Sequence, residues 1–181
     1  NLGLPVPPGF TITTDACRAY LKHNEVPESL VPEVTQALRG VEDQIGRTLG
    51  DKDEPLLVSV RSGAKFSMPG MMETVLNVGL NDESVQGLAK MSGSDRFAWD
   101  SYRRLVQMFG KTVLDIDGDL FADALDSMKE KVGARADVDL TAENLQDLTA
   151  QFKQIVKEQT GNDFPQDPRT QMDMAKIGRA H

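Results

Sequence analysis

A permanent cation at the end of a short apolar run is the feature of this sequence best suited to chemistry. Leu56–Val60 has the length and composition of a buried strand, and Arg61 follows it directly. Arginine is always charged and presents a planar fork of donors that fits phosphate oxygens. Ser62, Gly63 and Gly70 come next, and small residues let backbone N–H groups approach an anion closely. The segment therefore predicts a phosphate-binding loop.

The loop after Arg61 is unusually apolar for a surface turn. It reads Ser67-Met68-Pro69-Gly70-Met71-Met72 and leads to Thr74. Methionines have little structural justification in an exposed loop, so they indicate a soft surface that folds over a ligand or a second domain. From the residues alone two other interpretations stay open. The methionines pack into the protein's own core, or Arg61 pairs with a surface carboxylate.

Several other classes of site are disfavoured. Neither a Walker motif nor Gly-x-Gly-x-x-Gly occurs, so a nucleotide site here must use another architecture. His23, His181 and Cys17 form no metal-ligand spacing and no nucleophile–base pair, and no metal site is predicted from them. Asp115–Asp119 resembles a calcium loop but lacks the late bidentate glutamate.

Composition narrows the function classes. The chain has 181 residues, which suits one domain or one domain with an insertion. Its net charge of −8 disfavours a nucleic-acid partner, because backbone affinity comes from clustered Lys and Arg. No apolar run approaches the roughly 18–20 residues that a membrane span requires. A single cysteine fits a reducing compartment, no signal peptide is visible, and the first residue is not methionine.

Apolar spacing predicts an α+β region over residues 1–92 followed by a helical region over residues 93–174. Thr141 is a candidate N-cap in the second region. Arg103 and Arg104 lie on a predicted helix over 96–109, and adjacent helical residues point about 100° apart, so one of them at most faces any given pocket. On composition both are expected to be solvated. The predicted strands are 10–12, 56–60 and 75–80, and the predicted helices are 14–23, 34–49, 96–109, 120–132 and 141–159.

Several stretches together resemble the pyruvate, phosphate dikinase family. The most specific is Ser67-Met68-Pro69-Gly70-Met71-Met72-Glu73-Thr74, which follows Val60-Arg61-Ser62-Gly63. Gly3–Phe10, Arg96–Arg104 and Phe164–Pro168 match in the same order. The resemblance covers Asn1 to Met174. The related pyruvate, water dikinases share the Val-Arg-Ser start but depart from the methionine-rich loop.

The resemblance implies a partial ATP-grasp nucleotide-binding domain with a helical insertion. The family moves the β-phosphoryl group of ATP through a histidine on a swivelling domain to pyruvate, which gives phosphoenolpyruvate. ATP, Mg²⁺, inorganic phosphate and pyruvate are the implied ligands. Arg61 and Arg104 match phosphate-binding and catalytic arginines, and Gly70 and Thr74 fall in the loop that closes over the phosphates. We expect the full-length enzyme to be a homodimer in the cytoplasm, a plastid or another organelle.

Other family elements have no counterpart in this sequence. The Gly-Gly-Lys-Gly segment would precede Asn1, and the magnesium ligands, the adenine-binding half, the carrier histidine and the pyruvate-binding barrel would follow the chain. An incomplete fragment, inactive alone, is therefore implied, with a non-native tail predicted over residues 175–181. Two alternatives are kept: a pyruvate, water dikinase-like phosphotransferase and a non-catalytic nucleotide-binding module.

Overall fold

The computed structural model describes residues 6–23, 25–61 and 74–177, without the side chains of Cys17, Leu21, Lys176 and Ile177. The chain divides into two compact units, Asn1–Thr48 and Leu49–Arg179. The predicted domain boundary near residue 92 and the predicted non-native tail from residue 175 stay predictions.

The first unit contains two helices, α1 (Thr14–His23) and α2 (Leu30–Ile45). Val34, Leu38 and Val41 bury one face of α2, as their three- and four-residue spacing predicts. Gly46 ends α2 in the left-handed conformation at φ 73°, and its N–H donates to the Glu42 carbonyl. Helix α2 therefore ends earlier than the predicted residue 49.

The predicted strand over residues 10–12 is wrong. Residues 6–13 have no regular secondary structure. Alternation of apolar and polar residues favours a strand only where a neighbouring strand accepts its backbone hydrogen bonds. The structure describes no such neighbour for this segment.

A two-stranded antiparallel sheet opens the second unit. Strand β1 (Val58–Arg61) pairs with β2 (Thr74–Val78), and the register places Val60 opposite Val75 and Arg61 opposite Thr74. Val75 and Val78 are fully buried, whereas Arg61 is exposed. The sheet therefore has a buried side and a side on which Arg61 faces solvent.

Helices make up the rest of the second unit, which agrees with the predicted α+β class. The Thr141 hydroxyl accepts from the Asn144 N–H at 3.2 Å, which confirms Thr141 as an N-cap. The elements are α3 (Ser84–Ser92), α4 (Asp95–Thr112), α5 (Gly118–Val132), a 3₁₀ turn (Asp137–Asp139), α6 (Ala142–Thr160) and α7 (Pro168–Ile177). Within the described ranges, no helix is long and apolar enough to cross a membrane.

Helix α4 lies at the centre of this unit, packed against β2, α3, α5 and α6. Its core face carries Tyr102, Leu105, Val106 and Phe109, all fully buried. Phe109 meets Phe164 edge to face, with ring centroids 5.4 Å apart. A side chain on the opposite side of α4 therefore projects from a helix whose position is fixed by tight packing.

A buried glutamine ties α7 to the end of β2. Gln171 is fully buried, and its Oε1 accepts from the Gly79 N–H at 3.0 Å. Its Nε2 donates to the carbonyls of Leu80 and Pro165, both at 2.8 Å. These bonds satisfy the buried amide and fix the backbone just after β2.

Candidate functional site

Arg61 and Thr74 are direct cross-strand partners. They occupy the last position of β1 and the first position of β2, at the end of the sheet where residues 62–73 connect the two strands. Directly opposed residues of an antiparallel pair project from the same face, with Cβ atoms about 4.5–5.5 Å apart. The sheet thus sets a guanidinium beside a hydroxyl at the base of the connection. Gly70 and the rest of residues 62–73 lie outside the described residues.

Strand β2 is bonded to the helix that carries Arg104. The Asn77 Nδ2 donates to the Ser101 carbonyl at 3.2 Å, and α4 packs against β2. Asn77 has φ 60°, a left-handed conformation that asparagine tolerates better than most residues. Arg104 lies one helical turn beyond Ser101. In the described part of the chain, no hydrogen bond joins Arg104 to Arg61 or Thr74.

The two adjacent arginines of α4 have opposite environments. The Arg104 side chain is 55% exposed, and its Nε donates to Asp100 Oδ2 at 3.0 Å. The Arg103 side chain is only 4% exposed, so the expectation that both arginines are solvated is wrong for Arg103. Their divergence follows from the angle between successive helical residues. Arg104 is therefore the member of the pair that an anion in solution can reach.

The buried Arg103 contacts partly exposed acidic and polar side chains. Its Nη2 donates to Asp100 Oδ1, and its Nη1 donates to Gln107 Oε1 at 3.1 Å. Asp137 Oδ2 lies 3.5 Å from the same Nη2, and the other oxygen of Asp137 lies 3.4 Å from Lys129 Nζ. The hydrogen bonds that Lys129 Nζ donates to Asp126 and Asp137 raise the pKa of Lys129, with the Asp126 bond as the larger cause. The terminal nitrogens of Arg103 are thus paired with acceptors, which offsets the cost of burying its charge.

A polar cluster on another side of α4 fixes the rotation of the helix. The Tyr102 hydroxyl donates to Asp82 Oδ1 at 2.9 Å and accepts from Gln166 Nε2 at 3.2 Å. Lys153 Nζ donates to both oxygens of Asp82, at 2.7 and 2.9 Å. Burial, as the largest cause, raises the pKa of Tyr102 well above its usual range. The raised pKa keeps the phenol protonated at neutral pH, as its donation to Asp82 requires.

Removing this hydroxyl is expected to weaken the fold modestly. Tyr102→Phe keeps the buried ring and deletes the bonds to Asp82 and Gln166, at an expected cost of about 1 kcal/mol in the free energy of unfolding. Urea unfolding of the chain measures the change, and Gln166→Ala completes a double-mutant cycle. Because the two side chains share a bond, their effects should be less than additive. Full additivity would show that the cluster does not act as a unit.

The described residues offer no ready metal site. Within residues 6–23, 25–61 and 74–177, no group of three or more His, Cys, Asp or Glu side chains is placed to hold a metal ion. The carboxylate closest in sequence to Arg104, Asp100, is engaged by two arginines. What the described part of the candidate site provides is the exposed guanidinium groups of Arg61 and Arg104 and the half-buried Thr74 beside Arg61, a combination suited to an anionic ligand.

Comparison with known proteins relates these residues to a named family. Residues 26–112 match the model described as the pyruvate phosphate dikinase AMP/ATP-binding domain. The matched range contains Arg61, Gly70, Thr74 and Arg104. A pyruvate, phosphate dikinase from Giardia intestinalis is 51% identical over 175 residues, which is 97% of this chain. Over nearly its whole length the chain is similar to pyruvate, phosphate dikinases.

Two further pyruvate, phosphate dikinases have a sequence identity to this chain comparable with that of the Giardia protein. The chloroplastic pyruvate, phosphate dikinase 1 of Zea mays is 50% identical over 98% of this chain, and the Clostridium symbiosum enzyme is 46% identical over 94%. The aligned regions make up 19% and 20% of those two proteins, and 20% of the Giardia protein. The chain thus spans about one fifth of the length of the curated relatives it matches.

The acidic partners of the two arginines were not predicted from the sequence. Asp100 lies three and four residues before Arg103 and Arg104, and this helical spacing is a signal that could have identified it. Asp137 offers no such signal, since it reaches Arg103 only through the packing of the 3₁₀ turn near α4. Burial of Arg103 likewise depends on tertiary packing.

Proposed function

We propose that this chain is the phosphate-binding part of the ATP-binding domain of a pyruvate, phosphate dikinase. The observation that carries the proposal is that the range matched by the AMP/ATP-binding domain model contains the Arg61–Thr74 pair and Arg104. The fold of that domain is proposed to be an ATP-grasp, to which β1 and β2 contribute. The complete enzyme would use ATP and inorganic phosphate to phosphorylate a carrier histidine and so interconvert pyruvate and phosphoenolpyruvate.

Each site residue has a proposed role that its position supports. Arg61 and Arg104 are exposed cations that would bind the nucleotide phosphates and offset the charge that develops during phosphoryl transfer. Thr74 would donate its hydroxyl to the same phosphates beside Arg61. Gly70 would let the connecting segment bring its backbone N–H groups close to them.

Magnesium is part of the proposed reaction but is assigned to none of the described side chains. Mg²⁺ binds through carboxylates and substrate phosphates, and the described residues contain no group of acidic side chains arranged to hold it. The proposed enzyme also needs a swivelling phosphohistidine domain and a pyruvate-binding domain, which would correspond to the part of the relatives that this chain does not align with. The proposed homodimer would add a second copy of the full-length chain.

The dependence of activity on inorganic phosphate tests the reaction class. In the full-length enzyme that carries this segment, formation of phosphoenolpyruvate from ATP and pyruvate is expected to require added phosphate. The measurement is a coupled assay of phosphoenolpyruvate after phosphate has been removed enzymatically, with and without its restoration. Full activity without phosphate would identify a water dikinase instead, and absence of any ATP-dependent product would leave a non-catalytic nucleotide-binding module.

A further inference from the structure

Asp100 lies between the two arginines of α4 and bonds both. Its Oδ2 accepts from the Nε of Arg104 at 3.0 Å, and its Oδ1 accepts from Nη2 of Arg103. The spacings of three and four residues put both guanidinium groups within reach of one carboxylate on the helix surface. The Asp100 side chain is 16% exposed, between the buried Arg103 and the exposed Arg104.

The bond to Nε orients the exposed guanidinium. A guanidinium is planar, so fixing its inner N–H restricts the directions in which the two terminal nitrogens point. Among the described residues, the contacts of Arg104 use only Nε. Nη1 and Nη2 are therefore left as a fork of donors, the part of arginine that binds phosphate oxygens in pairs. Without Asp100, the side chain would lose this restraint and would have to be ordered by the ligand.

Asp100 is itself held in place from the protein interior. Arg103 donates to it while also contacting Gln107 and Asp137. Arg103 Nε is buried without a hydrogen-bond partner in the described part of the chain, so the terminal nitrogens alone hold this guanidinium. Because Arg103 already offsets the charge of Asp100, the charge of Arg104 stays available to an anion.

We propose that Asp100 is the positioning residue that orients Arg104 toward the nucleotide phosphates, with buried Arg103 as its anchor. The inference rests on the proposed function, in which Arg104 binds those phosphates. It adds a residue that acts through Arg104 and does not itself touch ATP. A series of hydrogen bonds and ion pairs therefore runs from Asp137 in the 3₁₀ turn through Arg103 and Asp100 to the exposed guanidinium of Arg104.

Steady-state kinetics of the full-length enzyme test this role with Asp100→Asn. Asparagine keeps the size of the side chain but has one acceptor oxygen and no charge, so it cannot serve both arginines. The KM for ATP is expected to rise about 10-fold, which corresponds to one restrained charged hydrogen bond. The exchange between pyruvate and phosphoenolpyruvate, which does not involve ATP, should be unchanged. Asp95→Asn, an exposed residue in the first turn of α4, is the matched control and should leave both activities unchanged.

A double-mutant cycle with Arg104→Ala separates this inference from the proposed function. If Asp100 acts through Arg104, Asp100→Asn should change the KM for ATP by less than about 2-fold once Arg104 is absent. Equal effects of Asp100→Asn with and without Arg104 would overturn the positioning role. A normal KM for ATP in Arg104→Ala would instead refute the assignment of Arg104 itself. Equal slowing of both half-reactions in Asp100→Asn, with an unchanged KM for ATP, would identify Asp100 as purely structural.

Arg104→Lys provides a second variant in case Asp100→Asn does not fold. Its side chain is exposed, so the fold should tolerate the change, and lysine keeps the charge without the planar fork. The KM for ATP should again rise about 10-fold, because a single ammonium cannot bond Asp100 and present two further donors in fixed directions. Wild-type affinity in Arg104→Lys would show that orientation of this side chain is unnecessary.

Discussion

Arg61→Ala in the proposed full-length dikinase is expected to slow the proposed ATP-dependent phosphorylation of a carrier histidine on the order of 10²-fold or more, by analogy with the loss of a preorganised charge-stabilising donor. Arg61 is exposed at the end of β1, directly opposite Thr74, and no ion pair joins it to another residue that the structure describes. The exchange between pyruvate and phosphoenolpyruvate should continue at the wild-type rate, since it proceeds without ATP. Rapid-quench measurement with ATP labelled at the β-phosphate follows the first half-reaction directly.

Matched variants sharpen the result for Arg61. Arg61→Lys should recover only part of the rate, because lysine supplies the charge but not the paired donors. Arg18→Ala removes another exposed arginine, in α1, and should leave both half-reactions intact. A normal ATP half-reaction in Arg61→Ala would show that this arginine has been given the wrong role. Slowing of both half-reactions together would point to a folding defect.

The two strands that carry Arg61 and Thr74 were accessible from sequence in outline, because each is a short apolar run bounded by turn residues. Their pairing was not, because the connection over residues 62–73 is longer than the short turns that predict a hairpin. The particular register was not predictable, because it depends on an irregularity between Val58 and Val60. The amphipathic helices α4 and α6 were predictable for a related reason, since their apolar residues recur at helical spacing.

Helix α3 shows why other elements escaped prediction. It is short and contains Gly87, and both features weaken a helical pattern. The structure gives the reason for that glycine. A Cβ at Gly87 would lie 2.3 Å from the Lys52 carbonyl oxygen and 2.7 Å from that of Asp53, so only glycine allows the close approach of α3 to this turn. A tertiary requirement of this kind overrides local propensity and leaves no periodic signal.

Helix α4 joins the stability of the second unit to its proposed chemistry. One side of the helix carries the Tyr102 cluster and the aromatic core, and another presents Asp100 and Arg104. A helix turns about 100° per residue, so a small rotation of α4 about its axis would change the direction in which the Arg104 guanidinium points. The packing of α6 against α4 therefore matters for the site as well as for the fold.

Phe152→Ala is expected to lower the free energy of unfolding by about 3–5 kcal/mol, as truncation of a buried aromatic side chain does. Phe152 lies on α6, is fully buried, and meets Phe121 of α5 edge to face with ring centroids 5.1 Å apart. The loss would be a large share of the roughly 5–15 kcal/mol that stabilises a typical domain. Thermal unfolding followed by circular dichroism should show a midpoint lower by on the order of 10 °C.

The chain offers a matched control for this truncation. Phe97 lies on α4 with 52% of its surface exposed, so Phe97→Ala removes the same atoms where they bury much less area. Its effect on the unfolding free energy should stay below about 1 kcal/mol. Similar losses for the two variants would mean that Phe152 does not occupy a tightly packed interior position. A large loss for Phe152→Ala alone would support the packing of α5 and α6 that holds α4, and with it Arg104, in place.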